Sequence, residues 1–507
     1  MPLEQVAIAQ FNRGLVDPRA LGRVDLKRIA LSAERQTNWV PRSLGSMSLR
    51  PGLQYLATTR NNLKAKHIPF IFSSADTAII EITSEGARVL VSEAAISRSG
   101  VSSAVTNGTF TTDLTGWTDA DETGSSSLFV TGNYAGLTGT DYNAAILRQA
   151  VTVASTDASV EHTLNIVVER STVTLKVGSS AGDDSYVGET NLATGYHSLA
   201  FTPTGNFTIE LANRSLYTAY VDSVAVASSG DMLLTTPWGS SDLDYLRWDQ
   251  SADVVFVACD GYQQRKFERR ATKSWSLVKY ETDDGPFRSL NTTSLTMTAG
   301  ALTGNTTLTA SRAYFVANHV GAIFRLASIG QKVSRIITAA SQWSDPIKVQ
   351  GSGTNPRRFV IDIAGTWVAT VTLQRSKDDL SSFADAATYT INQAALNFDD
   401  ALNNEIIYYR IGIDAGDYTS GTPTVTLTYS GGSRLGVGLI TARTSSTVVD
   451  IAVLKPMGQT TATPDWEEGV WSTLRGFPTA ITFYEGRLWW SGNDRIIGSV
   501  SDAFSSF

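Results

Sequence analysis

Apolar and polar residues alternate along most of the chain, the pattern of β-strands that turn one face toward a core. The clearest runs lie at residues 173–177, 207–211, 367–373 and 425–429. Turn residues separate the runs, as at Asp284-Gly285-Pro286, because glycine and proline favour the backbone angles of tight turns. Short strands at this spacing predict a mainly β chain built from sandwiches, barrels or propellers.

Two local patterns predict individual elements. Asp25 is a residue type that caps helix N-termini, and Leu26, Ile29 and Ala33 follow it at helical spacing, so a short helix is expected over residues 25–37. Residues 483–488 predict a hairpin, because Gly486 can adopt the positive φ that a tight turn requires.

Charge divides the 507 residues into three regions. The net charge of −7 combines +5 in residues 1–100, −9 in 101–230 and −3 in 231–507. Such steps predict boundaries near residues 100 and 230. An acidic chain is poorly suited to gripping nucleic acid, because phosphate neutralisation needs clustered lysine and arginine.

Composition excludes several protein classes. One cysteine, Cys259, rules out a disulfide framework, and its apolar strand predicts a buried thiol. No apolar run approaches the ~20 residues of a membrane span, and we expect no signal peptide at the start. Residues 178–182 match G-x-S-x-G, but no helical pattern follows, so a loop between strands is expected. No catalytic residue, metal site or cofactor site is predicted.

Three groups of short motifs occur in order along the chain. The first comprises Arg23-Val-Asp-Leu26, Asn38-Trp39, Arg50-Pro-Gly-Leu-Gln-Tyr55 and Ile68-Pro-Phe-Ile-Phe72. The second comprises Thr236-Pro-Trp-Gly-Ser-Ser-Asp-Leu243, Leu246-Arg247, Ser251-Ala-Asp-Val254, Trp275 and Asp284-Gly-Pro-Phe287. The third comprises Trp466-Glu-Glu-Gly-Val-Trp-Ser472, Gly476-Phe-Pro478, Phe483 and Arg487-Leu-Trp-Trp-Ser-Gly492.

In this order the motifs resemble the tail nozzle, or tail tubular protein B, family of short-tailed bacteriophages. The resemblance covers most of the chain outside residues 101–229. It implies a virion tail protein that is not an enzyme and forms a ring of six copies below the portal and adaptor. That ring would line the channel for DNA ejection, with double-stranded DNA passing transiently. The implied partners are the adaptor ring and the tail fibres or spikes.

Residues 102–228 resemble a second kind of protein, the galactose-binding-like jelly rolls of carbohydrate-binding modules. The resemblance is carried by Asn107-Gly-Thr-Phe110, Leu114-Thr-Gly-Trp117 and Val221-Asp-Ser-Val-Ala-Val226. Thr111 stands where those modules usually carry a glutamate, which puts their calcium site in doubt here. If the insert binds host glycan, the candidate contacts are aromatic residues at strand ends and in loops. They are Tyr134, Tyr142, Tyr186 and Tyr196.

The predicted architecture is a multidomain, partial β-propeller with inserted β-sandwich domains. Residues 1–100 contribute to the core and contact the adaptor, 101–229 form the jelly-roll insert, and 230–290 form a propeller-like unit. Residues 291–455 form a platform with a small sandwich at about 354–432. Residues 456–507 form a second propeller-like unit whose last blade we expect to be completed beyond Phe507 or by another polypeptide.

The N-terminal segment carries an unusual concentration of basic residues. Arg19, Arg23, Lys27 and Arg28 lie close together in sequence, and they form either a solvated face or the contact with the adaptor. Two functional alternatives to the nozzle stay open. The chain could be a glycan-binding adhesin or receptor-binding protein acting through the insert, or, less favoured, a polysaccharide depolymerase.

Overall fold

The computed structural model describes residues 13–20, 22–23, 25–350, 357–378, 380–400, 402 and 405–507, with only the backbone at residues 329, 432 and 433. Strands account for 52% and helices for 2% of the described residues. The predicted mainly β, multidomain class is therefore confirmed. The start of the predicted 354–432 sandwich, residue 24 of the first motif and residues 401, 403 and 404 lie outside the described residues.

The chain forms two compact units, divided between Thr58 and Thr59. The first holds two 3₁₀ turns and one small hairpin. Its elements are Pro18–Ala20, Ile29–Leu31, β1 (Trp39–Pro41) and β2 (Met47–Leu49). Residues 59–100, which the charge pattern grouped with this segment, belong to the second unit.

The helix predicted over residues 25–37 is wrong, because only Ile29–Leu31 forms a 3₁₀ turn. Asp25 does not cap a helix; its carboxylate accepts hydrogen bonds from Arg23 at 2.9 and 2.8 Å. The chain is already extended at Ser32. The apolar stripe buries none of its described members, so no packing supports a longer helix, and most helical stability comes from such packing.

The second unit begins with a 3₁₀ turn, Arg60–Asn62, and an up-and-down sheet. Its early strands are β3 (Lys66–Ser73), β4 (Asp76–Thr83), β5 (Gly86–Val91), β6 (Ala94–Ala95) and β7 (Ser97–Arg98). Ile68, Phe70, Ile80 and Val89 pack in a core with Trp275, which lies far along the chain. The N-terminal sheet is thus joined to residues beyond the insert.

The insert is a β-sandwich whose two sheets enclose one core. Its strands are β8 (Thr118–Asp119), β9 (Ser126–Val130), β10 (Tyr134–Thr138), β11 (Ala145–Val151), β12 (His162–Arg170), β13 (Val173–Gly178), β14 (Val187–Leu192), β15 (Gly195–Phe201), β16 (Phe207–Asn213) and β17 (Ala219–Val226). The alternation predicted at 173–177 and 207–211 is confirmed, since Val173, Leu175, Ile209 and Leu211 are all buried. Trp117 also lies in this core, as an aromatic plug.

The middle sheet continues the insert edge to edge. Its strands are β20 (Arg247–Ser251), β21 (Val254–Cys259), β22 (Tyr262–Ala271) and β23 (Ser274–Lys279). Two short strands precede them: β18 (Gly230–Asp231) pairs with β7, and β19 (Leu234–Thr235) pairs with β5 of the N-terminal sheet. Strands β20 to β23 form a four-stranded meander, and β23 pairs with β15 of the insert, His197 lying opposite Ser276. One sheet of the insert and the middle sheet therefore form a single nine-stranded sheet.

The platform contains two cores that share a long two-stranded ladder. Its strands are β24 (Met297–Ala299), β25 (Asn305–Ala310), β26 (Ile323–Ile336), β27 (Gln342–Trp343), β28 (Ile347–Val349), β29 (Phe359–Ala364), β30 (Trp367–Ser376), β31 (Ala384–Tyr389), β32 (Gln393–Phe398), β33 (Ile407–Gly421), β34 (Thr424–Arg443), β35 (Val448–Lys455) and β36 (Trp466–Glu468), with a 3₁₀ turn at Ala317–His319. One core contains Phe324 and Ile440, and the other contains Val333 and Leu427. Both cores draw on β26 and β34, which therefore tie them together.

The last sheet is the predicted hairpin with one added strand. It comprises β37 (Ala480–Tyr484), β38 (Arg487–Gly492) and β39 (Arg495–Gly498). Glu485 and Gly486 form the turn at φ 49° and 71°, so the predicted hairpin is confirmed. Together with the N-terminal and middle sheets, this meander has the blade arrangement of a partial β-propeller.

Candidate functional site

A cleft of about 1090 Å³ lies where the insert, the middle sheet and the platform meet. The insert supplies aromatic and charged residues from β10, β12 and the start of β17. The middle sheet supplies polar residues of β22 and β23, and the platform supplies an apolar wall. Principal lining residues are Tyr134, Arg170, Tyr217, Tyr220, Gln264, Lys279, Tyr280, Leu439, Trp471 and Phe477.

An aromatic and cationic stack forms the insert side of the cleft. The rings of Tyr134 and Tyr220 are parallel within 9° and their centroids are 5.5 Å apart. The guanidinium carbon of Arg170 lies 4.3 Å from the Tyr217 ring centroid and 4.5 Å from that of Tyr220. Strands β12, β17 and β10 are neighbours, and Gly136 lies opposite Tyr220 without a side chain. The order and register of these strands therefore bring the three side chains together. Each cation–π contact contributes about 0.5–2 kcal/mol.

Two phenols of this stack, those of Tyr134 and Tyr217, have raised pKa values. Loss of solvation, together with the nearby Glu169 and Asp222 carboxylates, raises the pKa of Tyr134. Loss of solvation also raises the pKa of Tyr217, outweighing the opposing effect of Arg170. Both phenols therefore stay neutral and can donate hydrogen bonds at physiological pH.

The remaining lining is polar, with both signs of charge. Gln264 is 2% exposed, and its Nε2 has no hydrogen-bond partner among the described residues. Lys279 Nζ lies 3.8 Å from a carboxylate oxygen of Glu169, so neither charge dominates that wall. Aromatic faces, an amide donor and balanced charges suit a neutral, hydroxyl-rich ligand better than an anion or a cation.

A buried carboxylate holds the turn that forms the platform wall. Glu468 accepts hydrogen bonds from Arg475 at 2.8 and 2.6 Å and from the Tyr314 hydroxyl at 3.0 Å. His319 Nε2 lies 3.6 Å from Glu468, while its Nδ1 accepts a hydrogen bond from the Val316 N–H. The proton of a neutral His319 therefore sits on Nε2, facing the carboxylate.

The four tyrosines proposed from sequence are not brought together. Tyr134 lines the cleft. Tyr142 is exposed, and its carbonyl accepts a hydrogen bond from Arg214. The Tyr186 ring stacks on Phe201 at the edge of the sandwich core. Tyr196 lies on β15, in the strand that pairs with the middle sheet. Tyr134 alone among the four is a lining residue of the described cleft.

The basic residues of the first unit are all exposed. Arg23 forms an ion pair with Asp25 at 2.8 Å. Arg19, Lys27 and Arg28 expose their side chains to solvent. Their contact with an adaptor stays a prediction.

Arg170, Tyr217 and Tyr220 were missed by the sequence reasoning. Tyr217 and Tyr220 flank the start of β17, and Arg170 ends β12. The local signal was an aromatic pair three residues apart beside a predicted last strand. Their meeting with Arg170 depends on the pairing of β12 with β17, which no local pattern reveals.

The described residues contain no group of three or more histidine, cysteine, aspartate or glutamate residues placed to hold a metal ion. Residues 178–182 span the end of β13 and the loop toward β14, as predicted. Cys259 is buried as predicted, and loss of solvation raises its pKa to about 11. No helix of the described part is long and apolar enough to cross a membrane.

Comparison with known proteins gives no family. No family model matches the sequence, and no curated protein matches it. Among solved structures, the tandem CBM22-1–CBM22-2 domain of Paenibacillus barcinonensis Xyn10C is 10% identical, with 70% of this chain and 99% of that chain covered and a TM-score of 0.18.

Two further solved structures are similarly distant. An IolB-like protein of Salmonella typhimurium LT2 is 7% identical, covering 57% of this chain and 83% of that one, with a TM-score of 0.11. Vicilin of Corylus avellana is 8% identical, with 64% of this chain and 87% of the vicilin chain covered and a TM-score of 0.12. At these scores the three structures carry no argument about this chain.

The Glu468 cluster predicts a pH-dependent stability. Burial alone would raise the pKa of Glu468, but His319, Arg475 and Tyr314 outweigh it and lower the pKa from 4.5 to about 2. A lowered folded-state pKa stabilises the protein above pH 4.5, and this contribution is lost as the pH falls toward 2. The shift corresponds to about 3 kcal/mol.

We expect Glu468→Gln to lower the free energy of unfolding by about 3 kcal/mol at pH 7 and to flatten its decline between pH 5 and pH 2. Urea unfolding across this range measures both effects. The neighbouring Glu467→Gln is the matched control, since Glu467 pairs with Arg325 at a more solvated position. Equal pH profiles for wild type and Glu468→Gln would show that the cluster does not act in this way.

Proposed function

We propose that this chain is a structural protein of a phage tail, a subunit of a ring-shaped nozzle that lines the channel for DNA ejection. One observation carries the proposal: motifs of the second and third groups that resemble the nozzle family, together with residues 68–72 of the first group, are far apart in sequence but converge on two adjoining cores. Trp238 and Trp275 of the second motif group share a core with the N-terminal sheet. Trp471 and Trp490 of the third group pack 6.1 Å apart, centroid to centroid.

The second and third motif groups are also linked by hydrogen bonds. The Val470 N–H donates a hydrogen bond to the Pro286 carbonyl at 2.9 Å, and Phe287 forms an antiparallel bridge with Gly469. The motifs are therefore structural parts of one blade assembly interrupted by two insertions. This supports a shared architecture with the nozzle family.

The charge distribution is compatible with a DNA conduit. Residues 59–507 hold 33 lysine and arginine against 44 aspartate and glutamate residues, a balance of −11. An acidic wall repels phosphate and lets a duplex slide, whereas many basic contacts would hold the duplex by counterion release. Heterologous contacts between copies would close such a wall into a ring.

Electron microscopy of the purified chain tests the nozzle directly. We expect closed rings, of six copies by the family resemblance, with an axial channel roughly 20–40 Å wide, enough for a duplex whose major groove is ~12 Å wide. Closed particles without a channel would contradict the proposal. So would monomers at every concentration and salt condition tried.

A second candidate function is glycan binding in the cleft, possible alongside the first. The observation that favours it is the stack of Tyr134, Tyr220 and Arg170 that lines the cleft. Sugar rings offer C–H faces to aromatic rings and hydroxyls to amides. A cleft of about 1090 Å³ has room for a short oligosaccharide.

A glycan array probed with the full chain tests this second candidate. We expect binding to neutral oligosaccharides and at least a tenfold loss in Tyr134→Ala, because an exposed ring face is removed. Tyr142→Ala is the matched control, an identical change on the insert outside the cleft lining, and should bind normally. Absence of binding by the unmodified chain, or equal losses in both variants, would exclude the cleft as a glycan site.

A further inference from the structure

The first unit exposes its apolar side chains. We call its described part, residues 13–20, 22–23 and 25–58, the arm. None of these residues is buried. Leu44, Leu53 and Tyr55 are 93%, 88% and 75% exposed. The other large exposed apolar residues of the arm are Leu15, Leu26, Trp39, Val40, Leu49 and Leu56.

Such a segment gains little from folding alone. Its strands β1 and β2 form one hairpin, with Trp39 opposite Leu49, and Leu15 and Ala33 form an isolated parallel bridge. A two-stranded hairpin is marginally stable in water. Single exposed leucines are ordinary, whereas a cluster within one short unit marks an interaction surface. Covering these side chains would contribute about 25 cal/mol per Å² of apolar area. The arm therefore has the composition of a docking segment.

The net charge of the N-terminal residues indicates which kind of surface covers the arm. Residues 1–58 hold 8 lysine and arginine and 4 aspartate and glutamate residues, a balance of +4, against −11 in the rest of the chain. The insert is the most acidic region, with 13 acidic and 4 basic residues in 101–230. Opposite potentials steer association and fix its register. A second copy of this chain thus offers the arm a complementary surface.

One stretch of the insert combines both properties that the arm requires. Asp119 and Glu122 expose carboxylates in the segment that leads into β9. On β9 itself, Leu128 is 63% exposed on one face of the sheet and Phe129 is exposed on the other. Strand β9 lies at the end of the nine-stranded sheet. An edge strand that exposes apolar side chains on both faces and follows exposed acids matches an arm that is apolar and basic.

We propose that the arm of one copy packs on residues 119–129 of the insert of a second copy. Apolar side chains such as Leu53 and Tyr55 cover Leu128 and Phe129, and arm arginines face the exposed acids. This contact is independent of the nozzle proposal, because it could build a ring, a dimer or an open chain. An adaptor protein, the occupant expected from sequence, is the competing partner.

Cross-linking between isotopically distinct copies tests the contact. Full-length chain carrying a photoreactive benzoylphenylalanine in place of Tyr55 is prepared at natural isotope abundance and mixed with ¹⁵N-labelled unmodified chain. After irradiation and digestion, we expect light–heavy cross-links from position 55 to peptides covering 119–129. A probe at Tyr484, also exposed, is the control and should not reach that stretch.

Several outcomes would overturn the proposal. They are cross-links only within one copy, cross-links to other parts of a second copy, absence of cross-links, and capture of an added adaptor protein alone. Leu53→Asp with Tyr55→Ser should lower the self-association constant at least tenfold in sedimentation experiments. So should Glu122→Lys with Phe129→Ser. The control Ile391→Asp alters an equally exposed apolar residue outside both surfaces and should have no effect.

Different results would exclude the nozzle and the arm contact. Copies joined through the arm without an axial channel would exclude the nozzle and keep this contact. Channel-bearing rings that persist unchanged in both double variants would exclude the contact and keep the nozzle. Circular dichroism of each variant confirms that the blade and sandwich cores stay folded.

Discussion

An aromatic contact between the middle sheet and the last sheet holds the architecture together. The Tyr280 and Trp490 ring centroids are 5.0 Å apart, and those of Phe256 and Phe483 are 5.6 Å apart. Residues 281–479, which include the platform, leave the middle sheet after Tyr280 and return before β37. Without this junction the two ends of that insertion would have no common core. Four large rings bury enough apolar area to offset the entropy of closing so long a loop, since that cost grows only slowly with length.

The insert is also attached to the blades through the middle sheet. Strand β23 leads into the Tyr280 junction and also pairs with β15 of the insert. A rigid β23 thus fixes the insert relative to the blades, and the cleft exists because insert, middle sheet and platform all meet at its end. The Tyr134 stack and the turn held by Glu468 both line the cleft through this arrangement. The candidate site is a product of how the insertions are attached.

Local features of the fold were predictable from sequence. Period-2 alternation identified the strands around Val173 and Ile209, and the Glu485-Gly486 turn identified the last hairpin. The predicted helix failed because Asp25 pairs with Arg23 and nothing packs on its apolar stripe. Local patterns also could not reveal that β15 joins β23, because edge pairing depends on tertiary packing. The cleft residues Arg170 and Tyr220 were missed for that reason, whereas Tyr134 was noticed only as an aromatic at a strand end.

Hydrogen exchange measures most directly whether the separated blades form one cooperative unit. Trp490→Ala removes the ring that faces Tyr280 and should cost about 3 kcal/mol. We expect amides of β21 and of β38 to exchange about 100-fold faster together, as one opening unit. Trp367→Ala, in the distant platform sandwich, should leave both strands unchanged. Faster exchange confined to β38, with β21 unaffected, would contradict a shared core.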